Sequence, residues 1–146
     1  ALNISETGHL AFASLHTSSC AESITRIVDV FPTNQQAQVR VTLSFVLQAV
    51  VTQQLIPKVG GGRVLGLEIM IATPAIRALI RDQKIHQIYS SIQAGQKYGM
   101  RTMNQSLAEL YLAHKITLAE AQARTANIPE LNDILNLKHE VAAMSK

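Results

Sequence analysis

The sequence predicts an α/β chain with strands confined to its first half and helices alone in its second. Three observations predict this. Ser or Thr recurs three positions before Glu or Gln, and each such pair opens an apolar run at helical spacing. Two β-branched stretches flank Gly60, Gly61 and Gly62, the pattern of a hairpin. Beyond Ile71 every apolar pattern has the helical period.

Taken in order, "ALNISETGH" reads as the last turns of a helix, closed by Gly8 in the left-handed conformation. A helix tail running straight into an apolar strand predicts a piece of a longer protein. Leu10 to Leu15 (LAFASL) is short, apolar and bounded by Gly8 and polar residues, so it reads as a buried strand. Ser19 and Glu22 make a capping box for a helix that buries Ile24, Ile27 and Val28 and closes at Pro32. Thr33 and Gln36 make a second box, with Val39, Leu43, Val46 and Leu47 turned inward. Between Leu47 and Pro57 the pattern becomes that of a strand, and "RVLGLEIMI" (Arg63 to Ile71) is its partner.

Thr73 then caps a helix with Pro74 at its first position, where the missing N–H is no loss. Ile85, Ile88 and Ile92 mark a further helix that stops at Gly95. Thr102 with Gln105, and Thr117 with Glu120, open two more. Pro129 opens a last short helix, and a polar tail begins at Lys138.

Composition narrows the function classes. The chain has 146 residues, 47% of them hydrophobic, enough for one cored domain or part of a larger one. No apolar run reaches the roughly eighteen residues of a membrane span, and no signal-peptide pattern is present. A soluble, cytosolic location is the expectation. Cys20 is the single cysteine, so an internal disulfide and a multi-cysteine zinc site are excluded. His86, His114 and His139 are too dispersed to suggest a metal. The net charge of +3 is scattered, aromatics are few and tryptophan is absent, which argues against nucleic acid and leaves an acidic partner or a membrane surface.

Several residues carry chemistry. His9 and His16 would face opposite sides of an ideal strand, so they belong at its two ends, as polar strand ends or as ligand contacts. Thr17, Ser18 and Ser19 are helix caps by preference, although a helix start also receives anions. Arg26 and Asp29, three apart on one helix, are a solvated pair or a subunit contact. Glu68 on an apolar strand has a partner or faces solvent. Arg77 and Arg81 share one helix face while Ile76, Leu79 and Ile80 cover the other, an amphipathic helix with a basic stripe.

The string "ETGHLAFASLHTSSCAESITRIVDVFP" resembles the histidine-box region of the ATPases that power type II secretion and type IV pili. "GGGRVLGLEIMIATPAIRALIRD" resembles the pilus-retraction branch of that superfamily. The likeness runs from the first residue to about Pro129. The chain departs from the branch at Ala78 (asparagine there), Asp82 (glutamate) and Ser18 (asparagine). Extension and secretion relatives usually carry a four-cysteine zinc insertion, and the single cysteine of this chain argues against them.

The resemblance implies the trailing part of a RecA-like P-loop ATPase sheet in residues 1–72. It implies an all-helical subdomain in 73–137, with 138–146 as a tail. It makes Ala75, Ile76, Arg77, Leu79, Ile80 and Arg81 the retraction helix. His9, His16 and Thr17 become a nucleotide-sensing histidine box, and Arg26, Asp29 and Glu68 candidate subunit contacts. It implies a homo-hexameric motor that uses ATP and Mg2+ to retract a pilus. The motor would act on an inner-membrane platform protein, at the cytoplasmic face of the membrane without spanning it. The pattern G-x-x-x-x-G-K-[ST] does not occur in this sequence. The P-loop and catalytic glutamate are therefore expected before Ala1, no catalytic residue within this chain, and no turnover by this chain alone. The alternatives are a type II secretion or pilus-extension ATPase without the zinc insertion, or a non-catalytic helical adaptor.

Overall fold

The computed structural model describes the backbone of residues 2–144 and the side chains of residues 4–137. It is an α/β structure in which a single hairpin supplies both strands of the described residues. The order is α1 (Leu2–Glu6), α2 (Cys20–Asp29), α3 (Thr33–Val46), β1 (Ala49–Pro57), β2 (Arg63–Ile71), α4 (Pro74–Arg81), α5 (Ile88–Ala94), α6 (Met103–Leu112), α7 (Leu118–Arg124) and α8 (Ile128–Met144). Short 3-10 turns at Ile85–Gln87 and Gln96–Tyr98 flank α5.

The hairpin follows from its sequence. Gly60, Gly61 and Gly62 all have positive φ, which lets the chain reverse where a side chain would be strained. Lys58 N–H donates to Gly62 O at the turn, and Ala72 N–H donates to Gln48 O at the open end. The same number of residues separates these pairs on each strand, so the register runs without a bulge and sets Leu55 opposite Leu65. Gly66 lies in the middle of β2 because a Cβ there would come within 2.9 Å of Ile56 Cδ1.

Two compact units divide the chain. The first comprises the chain up to Thr52 and Ile69–Met100; the second comprises Gln53–Glu68 and the chain from Arg101 onward. In the first, Ile24 and Val28 of α2, Leu43 of α3, Met70 of β2, and Ile76 and Ile80 of α4 share one apolar core with Ile88 and Ile92 of α5. In the second, Ile56 of β1 packs with Met103, Leu107 and Ala108 of α6, Ile116, Ala121 of α7, and Leu131 and Leu135 of α8. Each fully buried Ile or Leu contributes about 1.5–3 kcal/mol relative to exposure.

Caps place the helix starts. Thr102 and Gln105 form the complete reciprocal box. Thr73 and Thr117 each accept from the backbone N–H three residues on. Ser19 Oγ accepts from Glu22 N–H, but the Glu22 carboxylate reaches past it to the N–H and hydroxyl of Ser18.

Four expectations are corrected. Leu10–Leu15 is not a strand: His9–Thr17 carries neither helix nor ladder, and Leu10 and Phe12 are 75% and 90% exposed. A strand exists through its neighbours, and the sheet of the described residues is two-stranded, β1 beside β2. Thr33 does not cap α3; the helix begins one residue earlier than the box requires, behind Pro32, whose extended backbone makes the turn unaided. Gln36 donates instead to Phe31 O. The segment from Ile85 opens as a 3-10 turn before α5. The final helix is not short: it runs seventeen residues to Met144, so most of the expected tail at 138–146 has helical backbone. The side chains of that tail lie outside the described residues.

The Glu22 carboxyl is held below its ordinary value, first by the Ser18 N–H, then by the Ser18 hydroxyl and more weakly by Arg26. A lowered folded value stabilises the fold above the ordinary value of 4.5, and that contribution is lost as pH falls through the folded value. Urea unfolding at neutral and acid pH should show the chain losing stability on acidification, and Glu22→Gln losing less. Equal acid losses in the two proteins would show that this cap carries no linkage.

Candidate functional site

His9 follows directly from the closure of α1. Gly8 has φ +87°, and its N–H donates to Ser5 O while the His9 N–H donates to Ile4 O. The Thr7 hydroxyl donates to Ile4 O at 2.7 Å, and its oxygen lies 3.0 Å from His9 Nδ1. A hydroxyl has one proton, so Nδ1 is the donor to Thr7 and Nε2 is the outward nitrogen. Nε2 is then the acceptor nitrogen of the ring.

Residues Gly8–Ala13 and Leu15 run as an extended arm beside α3. Together with Val41, Thr42, Phe45 and Val46 they line an open, mainly apolar groove of about 990 Å³ within the first unit. Thr42 Oγ1 donates to Glu6 Oε1 at 3.2 Å, which ties α1 to α3 at one edge of that groove. His16, at the far end of the arm, is exposed. Thr17 is drawn in: its hydroxyl lies 2.6 Å from Ser23 Oγ, whose own proton goes to Ser19 O at 3.1 Å. Thr17 is thus the donor, and it pins the end of the arm to the first turn of α2. His9 and His16 stand at opposite ends of the arm, as the sequence placed them, but on exposed chain instead of at the ends of a sheet strand.

The helix α4 is arranged differently from its sequence reading. Ile76 and Ile80 are fully buried, and Leu79 is partly buried against the same core. Arg77 is not part of a solvated stripe. One of its guanidinium nitrogens donates to Ser44 O and Phe45 O, both at 2.6 Å. These carbonyls lie in the last turn of α3, where no intrahelical N–H reaches them and the helix dipole favours a cation. Burial of Ile76 and Ile80 brings Arg77 to that position. No local sequence signal marks this contact, because its acceptors lie more than thirty residues away in the chain. Ala75 and Arg81 remain exposed, and Arg81 Nε lies 3.4 Å from Asp82 on the surface.

The other candidates separate clearly. Arg26 and Asp29 are both exposed on α2. Glu68 is 3% exposed, buried in β2, so it is corrected from a candidate subunit contact to an interior carboxylate. The reason is its strand phase: it shares the inward face with Gly66 and Met70. Among the described residues no group of His, Cys, Asp and Glu is placed to hold a metal ion.

Nor do the glycines cradle phosphates. Gly61 N–H is turned to Lys58 O, and Arg63 opens a strand rather than a helix. The three glycines are therefore the turn of a hairpin.

Residues 1–61 match the family described as type II/IV secretion system protein. The type IV pilus retraction ATPase PilT of Pseudomonas aeruginosa is 52% identical over 130 residues, which cover 89% of this chain and 38% of that protein. Over most of its length the chain is PilT-like. A twitching motility protein of Neisseria gonorrhoeae is 48% identical over 128 residues, 87% of this chain and 34% of its own length. The crystal structure of the pilus retraction motor PilT with bound ADP superposes with a TM-score of 0.81 at 48% identity, covering 90% of this chain and 37% of that one. The chain thus spans well under half the length of these PilT-type relatives.

The Arg77 contact is open to direct measurement. Arg77→Met keeps the stem and removes the charged hydrogen bonds, which are worth about 1.5–3 kcal/mol when made by an ionised group. Urea unfolding should show a loss of that order, with Arg77→Lys recovering part of it. A wild-type midpoint for Arg77→Met would show that the contact contributes nothing.

Proposed function

We propose that this chain is the C-terminal part of a hexameric motor ATPase that couples ATP hydrolysis to type IV pilus retraction. The observation that carries the reading is the likeness to PilT in sequence and in structure together, over nine-tenths of the chain. On this reading residues 1–72 contain the trailing portion of a RecA-like core. The arm at Leu10–Leu15, apolar and without a ladder of its own, is then a strand that pairs in the parent protein. Residues 73–137 are the helical subdomain, and 138–146 the tail. The parent hydrolyses ATP with Mg2+ at a P-loop outside this sequence, and this chain alone turns over none. It works at the cytoplasmic face of the membrane against a platform protein at the pilus base.

Three groups would divide the labour. His16, with His9 and the anchored Thr17, reports the nucleotide state through an exposed imidazole at the end of the arm. The exposed edge of α4, at Ala75 and Arg81, meets a partner, while Ile76, Leu79 and Ile80 hold the helix on its core and Arg77 fixes it to α3. Arg26 and Asp29 contribute to subunit contacts.

In the parent protein His16→Ala should lower ATP turnover. Arg81→Glu should abolish twitching while leaving turnover near wild type. Both are exposed, so thermal unfolding should be unchanged in each. Unchanged turnover in His16→Ala removes the sensing role. Restored twitching by a parent that hydrolyses no ATP removes the motor reading altogether.

A further inference from the structure

The tip of the hairpin is a cationic surface that the motor reading leaves unused. Lys58 and Arg63 flank the three-glycine turn, and both are exposed. Val59 N–H donates to Lys115 O at 2.9 Å, which brings the loop after α6 against the turn and adds a third exposed cation. His114 beside it has φ +54°, the left-handed conformation that ends α6 and lets the chain fold back there.

None of Lys58, Arg63 and Lys115 has a carboxylate within 4 Å among the described residues, whereas Arg81, Arg101 and Arg124 are each paired. The only acidic residue between Gln53 and Glu68 is Glu68 itself, which is buried. The cations at the tip therefore act together and without local neutralisation.

Apolar side chains stand among these charges. Val59, within the turn, is 53% exposed. Leu55 and Leu65 face each other across the strands, and Leu65 shares the outward face of β2 with Arg63. An acidic polypeptide would need the charges but would leave these side chains in water. A bilayer surface uses both: anionic headgroups attract the cations, and the interface takes up apolar residues at shallow depth.

The geometry points to the hairpin tip as a membrane-surface contact that recognises anionic lipid headgroups through Lys58, Arg63 and Lys115, with Val59 entering the interface. The assignment rests on the motor reading only in placing the chain beside a membrane. It names the part of the chain that touches it.

Flotation of the intact chain with vesicles tests this. Vesicles of phosphatidylcholine and phosphatidylglycerol in equal parts should carry the chain upward, and vesicles of phosphatidylcholine alone should not. Raising the salt concentration should release it, since exposed charges are screened. The triple variant Lys58→Glu, Arg63→Glu, Lys115→Glu should stay at the bottom of the gradient with an unchanged circular dichroism spectrum. Lys84→Glu, an exposed cation elsewhere, should float like the wild type, and Val59→Ser should bind several-fold less.

Equal flotation with neutral vesicles, or flotation of the triple variant, overturns the proposal. So does retention on immobilised polyglutamate without flotation, which would assign the surface to an acidic protein. ATP turnover plays no part in the assay, so the motor reading and this surface fail or stand separately.

Discussion

A single charged contact sets the geometry of the first unit. Arg77 places its guanidinium on the last carbonyls of α3, and α4 is thereby fixed in rotation as well as in position. Apolar packing alone is not directional. Burial of Ile76 and Ile80 holds α4 on the core, and Arg77 adds directional bonds to both Ser44 O and Phe45 O. The contact also relieves two carbonyls that α3 cannot satisfy, so each helix completes the other. The exposed edge at Ala75 and Arg81 points where it does because of this joint.

The same helix, α3, forms one wall of the groove beside the His9–Thr17 arm. Its C-terminal half therefore serves two neighbours. Thr42 and Phe45 face the arm, and the carbonyls of the final turn hold Arg77. A displacement of the arm would meet α3 before anything else, and α3 is rigidly joined to α4. A contiguous set of contacts thus joins the arm, through α3, to α4.

The second unit is built on a different principle. Its polar interior is a closed set of hydrogen bonds around Asn104, which donates to Asn127 O and Glu130 Oε2 and accepts from the Thr125 hydroxyl. Asn127 in turn accepts from Glu130 N–H, so the connection between α7 and α8 is tied to α6 on both sides. A buried amide is tolerated only when its donors and acceptor are matched, and this one is. The network locks the helices in register.

Short-range physics was legible in the sequence. The hairpin strands, the three-glycine turn, the start of α4 behind Thr73 and Pro74, and the box at Thr102 all depend on residues within a few positions of one another, and each was read correctly. The apolar face of α4 was read too, because the helical period alone puts Ile76 and Ile80 together. What only the tertiary structure decided were contacts between distant segments. LAFASL has the composition of a strand, but composition cannot supply a ladder. Arg77 and Arg81 look alike at helical spacing, yet one meets carbonyls more than thirty residues away and the other pairs with the adjacent Asp82 on the surface. Glu68 could have faced either side until the inward phase of β2 was fixed by the packing around Gly66 and Met70. The physical reason is common to all three: a hydrogen-bonding group or a charge is defined by its partner, and the partner's identity is not written in its own neighbourhood.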